Sequence, residues 1–137
     1  IYERCLPLCV ISPSSVMIHR SVFEDVGVFD ESLEVCEDYD LWLRICAKYS
    51  VLFIDEPLIV KYGGHEDQLS RKHWGMDRFR VKALEKMMSF GALNDEDEKA
   101  TVNMILQKCG IIINGMKKRG NNDEAEKWQS KIEKYEK

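Results

Sequence analysis

Glu37-Asp38-Tyr39-Asp40-Leu41-Trp42-Leu43-Arg44 is the stretch on which the reading of this 137-residue chain turns. Its carboxylates are followed at once by an apolar run that continues through Ile45, Cys46 and Ala47. Negative charge is stabilised at a helix N-terminus, where the dipole and the unpaired N–H groups face outward. The pattern therefore predicts a helix over about residues 38–49. That helix is apolar nearly all round, so it is expected to be buried. An ionised carboxylate fixed at the start of a rigid helix has the position and charge state of a general base. Acidic residues at a helix start are also ordinary capping chemistry. Capping needs only one of the adjacent pair Glu37 and Asp38, which leaves the other for something else.

Upstream, Ser15-Val16-Met17-Ile18-His19 has the alternation of a strand. Ser21, with Glu24 three residues on, looks like a capping box for a short helix over 22–26, and Gly27 is a typical stop. Downstream, Val51 to Ile54 reads as a short buried strand. Pro57 starts a second extended piece, Leu58 to Tyr62, that ends at Gly63-Gly64. Residues 1–70 are thus expected to mix strands with short helices, and residues 71–137 to be helical.

In the helical part, Trp74, Val81, Leu84 and Met88 recur at helical spacing, with Phe79 and Met87 beside them, and Gly91 ends the run. Asn94 is placed to cap the next helix, whose first turn is Asp95-Glu96-Asp97-Glu98. Val102, Ile105, Leu106, Cys109, Ile112, Ile113 and Met116 keep the 3.6-residue period as far as Lys117-Lys118-Arg119 and Gly120. Gly110 and Gly115 inside that helix cost ~1 kcal/mol each against Ala, which predicts close packing there. A last helix places Ala125, Trp128, Ile132 and Tyr135 on one stripe.

With 45% hydrophobic and 32% charged residues, the composition is that of one ordinary soluble domain. No apolar run approaches the ~20 residues of a membrane span. A net charge of −4 gives no overall footprint for nucleic acid, and the three cations at 117–119 are what a helix C-terminus attracts. Up to Gly63 the chain is distinctly acidic. The five cysteines include no CxxC pair, which argues against a zinc ribbon or a disulfide framework. They read as reduced thiols of a cytosolic protein, with Cys46 and Cys109 filling core.

Taken together, Ser15 to Arg20, Gly27-Val28-Phe29-Asp30-Glu31-Ser32-Leu33, the Glu37–Arg44 run, Pro57-Leu58, Tyr62, His65 and Ser70 resemble the family 2 glycosyltransferases of the GT-A fold. The resemblance covers about Ser14 to Ser70. It implies an α/β fold, namely the acceptor-side, C-terminal part of a nucleotide-diphospho-sugar transferase over residues 1–70, with short strands and a buried helix. Residues 71–137 would be its helical tail.

The resemblance also implies a reaction. Asp38 matches the base that removes a proton from the acceptor hydroxyl, and Glu37 the acidic neighbour that positions the acceptor. Asp40 is expected to cap the helix. Trp42 stacks on a sugar or fills the core. Arg44 lies near the diphosphate or, as favoured, holds an internal carboxylate. His65 matches a histidine that can approach the metal or the diphosphate, although Gly63-Gly64 stand where a basic residue is usual. The chemistry is an inverting single displacement on a nucleotide-sugar donor, with a glycan or lipid-linked acceptor and a divalent cation, Mg or Mn, at the leaving group. No Asp-x-Asp motif in a suitable context precedes Ser14, so the main metal ligands are expected to lie outside this chain. With Ile1 in place of Met, the chain is expected to be a piece of an enzyme, inactive alone, and cytoplasmic or peripheral at a membrane. The rival reading is a non-catalytic module that self-associates through its C-terminal helices.

Overall fold

Local capping sets the start of the longest helix in the C-terminal half. Asn94 Oδ1 accepts the N–H groups of Glu96 and Asp97, both at 2.9 Å, satisfying two of the donors that a helix start leaves unpaired. The computed structural model describes residues 1–60, 62 and 75–136. Its helices are α1 (Tyr2–Cys5), α2 (Arg20–Val26), α3 (Glu37–Cys46), α4 (Asp77–Met88), α5 (Asp95–Lys118) and α6 (Asn122–Tyr135), with a single 3-10 turn at Pro13–Ser15 between α1 and α2.

The core follows the apolar period. Val81, Leu84 and Met87 of α4 meet Ile105, Cys109, Ile112 and Met116 of α5, and Ala125 of α6 closes the far side. Tyr2 and Cys5 of α1 and Tyr39, Leu43 and Cys46 of α3 belong to the same core. Burying each large apolar side chain here contributes about 1.5–3 kcal/mol. Polar ties hold the N-terminal segment against the helices. The hydroxyls of Tyr2 and Thr101 are 2.8 Å apart, Tyr39 OH donates to the Leu6 carbonyl at 2.5 Å, and Lys108 Nζ donates to the Pro7 carbonyl at 2.9 Å. No helix among the described residues is long and apolar enough to cross a membrane.

The expected α/β GT-A architecture is corrected: the chain is all-helical among the described residues, with no strand and no sheet. Ser15 ends the 3-10 turn instead of starting a strand, and Val16 continues extended but unpaired. Val51 to Ile54 and Leu58 to Val60 form no ladder either. The predicted burial of the first is reversed as well, with Leu52 90% and Phe53 79% exposed. The reason is physical. A helix satisfies its own backbone groups, whereas a strand requires a neighbour to take them. β-propensity describes fit to an existing pleated surface, and these segments do not supply one to each other.

Two smaller expectations also change. The first residue of α2 is Arg20, and its cap is His19, whose Nδ1 accepts the Ser21 N–H at 3.3 Å; Ser21 is inside the helix. Gly110 is not closely packed, since a Cβ added there would meet nothing within 4 Å among the described residues, whereas Gly115 is, with the Arg119 guanidinium 3.3 Å from where its Cβ would stand.

Candidate active site

The carboxylate run sits at the start of α3, and an unusual backbone puts it there. Cys36, the residue before the helix, is left-handed at φ 65°, the one non-glycine with positive φ among the described residues. That conformation costs a residue with a Cβ roughly 1–2 kcal/mol. It is held by burial: Val35, Cys36 and Tyr39 are all core residues. The sharp turn makes Glu37 and Asp38 the first two residues of α3, half-buried, while everything from Tyr39 to Cys46 is inside.

Asp40 does not cap the helix, contrary to expectation. It is fully buried, and its Oδ2 accepts from Arg44 Nε at 3.0 Å and Arg44 Nη2 at 2.7 Å. Lys86 Nζ of α4 lies 3.1 Å from each Asp40 oxygen. Oδ1 accepts no hydrogen bond, so the Lys86 charge is its compensation. Arg44 is 4% exposed, and its other donors go to the carbonyls of Val26 and, at 2.8 Å, Val28. Those carbonyls flank Gly27, whose φ of 82° ends α2 and turns the chain across the guanidinium. Lys86 also donates to Asp30 at 2.7 Å, and this contact holds the Asp30 carboxyl well below the usual carboxylate range. The arrangement binds α2, α3 and α4 through one buried charge cluster.

Asp38 is in the opposite situation. Among the described residues no cation pairs with it. Its Oδ1 accepts the Tyr39 N–H at 2.7 Å and its Oδ2 accepts the Cys9 thiol at 3.2 Å. Burial, and then the Asp38 carboxylate, push the Cys9 thiol up to about 12, so the sulfur keeps its proton and serves as a donor. Glu37 makes no hydrogen bond or ion pair among the described residues and stays half-buried. Two acidic side chains at the mouth of the helix thus have no cationic partner among the described residues, while the third is committed internally.

Trp42 lies inside, 3% exposed, against Val26, Leu41 and Ile45, and its indole N–H has no partner among the described residues. His65, with Gly63, Gly64, Ser70 and Trp74, lies outside the described residues. The structure therefore brings Glu37 and Asp38 together at the surface and places Trp42 and Arg44 behind them. Cys9 and Lys86 were not anticipated. They stand 29 and 46 residues from their carboxylate partners, so no local spacing points to either.

Among the described residues no group of three His, Cys, Asp or Glu side chains is arranged to hold a metal ion. These residues do not by themselves fit a divalent cation. Two surface hollows, one along the start of α5 and one along α2, are lined by neither Glu37 nor Asp38.

The chain is similar to proteins named as uncharacterized glycosyltransferases. One from Rickettsia felis and one from Rickettsia conorii are each 35% identical over 69 residues, which is 49% of this chain and 11% of the relative. One from Rickettsia bellii is 38% identical over 69 residues, again 49% of this chain and 10% of the relative. No family model matches, and no solved structure does. The chain spans about a tenth of the length of these three curated relatives. Over about half its length, then, the chain is similar to part of proteins that carry the name glycosyltransferase.

Proposed function

We propose that this chain carries the acceptor-side, base-bearing part of a family 2 glycosyltransferase, with Asp38 as the general base. The observation that carries the reading is the unequal treatment of the carboxylates at the start of α3. Asp40 is buried and neutralised by Arg44 and Lys86, whereas Asp38 is half-buried with no cationic partner among the described residues. A base must be fixed and reachable, and Asp38 is held by two hydrogen bonds and half-buried.

In the proposed reaction Asp38 takes the proton of an acceptor hydroxyl as that oxygen attacks the anomeric carbon of a nucleotide sugar. The bond from that carbon to the diphosphate oxygen breaks, its electron pair leaves with the nucleoside diphosphate, and the configuration inverts. Glu37, one residue away, accepts a hydrogen bond from the acceptor and orients it. A divalent cation would offset charge on the leaving group; the described residues offer no cluster for one, so its ligands are proposed to lie elsewhere. The donor pocket is proposed to lie elsewhere too, because neither carboxylate lines the hollows described above. The isolated chain is therefore expected to be inactive.

The test is Asp38→Asn in the full-length protein, assayed by nucleoside diphosphate release from a panel of nucleotide sugars. Turnover should fall about 10²–10⁴-fold, the usual contribution of a positioned base, with nucleotide-sugar binding kept. Undiminished turnover removes Asp38 from the role. The rival reading, self-association through the C-terminal stripes, gains nothing from the structure. Ile105, Ile112 and Met116 of α5 share one core with Ala125 of α6, and Trp128, Ile132 and Tyr135 pack against it.

A further inference from the structure

We propose that Cys9 is a positioning residue for Asp38, its thiol fixing the rotation of the carboxylate so that the free lone pairs face the acceptor. The inference rests on the reading of Asp38 as the base. A carboxylate turns easily about its last torsion, which has a broad, roughly two-fold profile. The adjacent backbone supplies one tether on that torsion, the Tyr39 N–H to Oδ1 at 2.7 Å. The Cys9 sulfur, 3.2 Å from Oδ2, supplies the second point of attachment.

The anchor is itself rigid. The segment leading to Cys9 is fastened on both sides, with the Leu6 carbonyl held by Tyr39 OH and the Pro7 carbonyl by Lys108. Tyr39 follows Asp38 directly, so the same turn of α3 that presents the base also grips the segment that steadies it. The Cys9 side chain packs at the seam of the two core clusters. Its sulfur also lies 3.3 Å from the Ile11 carbonyl. One thiol proton serves both acceptors, and the charged one is the stronger.

Two measurements test this. The first needs only the 137-residue chain. Iodoacetamide alkylation of Cys9, mapped by mass spectrometry, should speed up at least about tenfold at pH 8.5 in Asp38→Asn. The thiolate is then no longer opposed by a neighbouring negative charge. An unchanged rate means that the two groups do not interact, and the proposal falls.

The second uses the full-length protein and nucleoside diphosphate release from the nucleotide sugar it turns over fastest. Cys9→Ala and the bulkier Cys9→Val should each lower kcat about tenfold at an unchanged KM for the nucleotide sugar. Cys9→Ser, which keeps a donor, should recover most of the loss. If Ser is no better than Val, the contact is only packing and the role is lost. If Asp38→Asn retains full turnover while its alkylation arm is positive, the contact is real but the base assignment fails, and Cys9's positioning role with it.

Discussion

Exchanging Asp40 and Asp38 for asparagine, one at a time, should produce very different losses of stability although the two residues share one helical turn. Asp40 is fully buried and faces two cations. Asparagine keeps its shape but removes the charge. Arg44 is then left 4% exposed, its charge facing a neutral amide oxygen and the Val26 and Val28 carbonyls in place of a carboxylate. Removing one partner of a buried pair typically costs about 3–5 kcal/mol. Lys86 adds little to this, because its side chain is 40% exposed and it retains Asp30.

The loss is large beside a total stability of about 5–15 kcal/mol. With an unfolding entropy of about 2.1 cal/mol/K per residue, a chain of this length loses about 10–17 °C in Tm. Asp38→Asn keeps an oxygen for the Tyr39 N–H and breaks no ion pair among the described residues. Its cost is the charge at the helix start, about 0.3–1 kcal/mol, or about 1–3.5 °C by the same conversion. Thermal melts followed by circular dichroism at pH 7, with urea unfolding followed by tryptophan fluorescence, give both numbers. Equal losses in the two variants, or a loss below about 1 kcal/mol for Asp40→Asn, would refute the division between a structural and a chemical carboxylate.

Gly110→Ala should stabilise the chain by about 0.5–1 kcal/mol, because the helix gains the better former and the added methyl meets nothing within 4 Å; a lower Tm would contradict the packing around α5. Acid should destabilise the fold through Asp30 and Asp77. Lys86 holds Asp30 low, and at Asp77 the upward push of burial is outweighed by hydrogen bonds from Lys108 and Arg80. Both folded values lie below the unfolded value of about 3.9, so their stabilisation is complete above that pH and is lost as pH falls through the folded values. Melts between pH 6 and pH 2.5 should show the decline, and it should be shallower in Asp77→Asn; an identical slope would exclude that residue.

Features that depend on a few neighbouring residues were legible in the sequence. The Asn94 cap, the stops at Gly27, Gly91 and Gly120, all with φ between 74° and 82°, and the buried stripe of α5 follow from local backbone chemistry and the 3.6-residue period. The all-round apolar character of α3 foretold its burial. Extended segments were not legible in the same way. Val16, Leu52, Phe53 and Val60 have strand-forming side chains, yet a strand is decided by its partner, and none of these segments has one among the described residues.

The same boundary runs through the candidate site. The sequence by itself determined that acidic residues open a buried helix, and the i,i+4 spacing of Asp40 and Arg44 allowed their pairing. Only the tertiary structure separated one carboxylate from the next. It brought Lys86 to Asp40 from α4 and Cys9 to Asp38 from the segment after α1. A carboxylate becomes a structural anchor or an available base according to which charges lie within a few ångströms, and those neighbours come from parts of the chain that no local pattern connects.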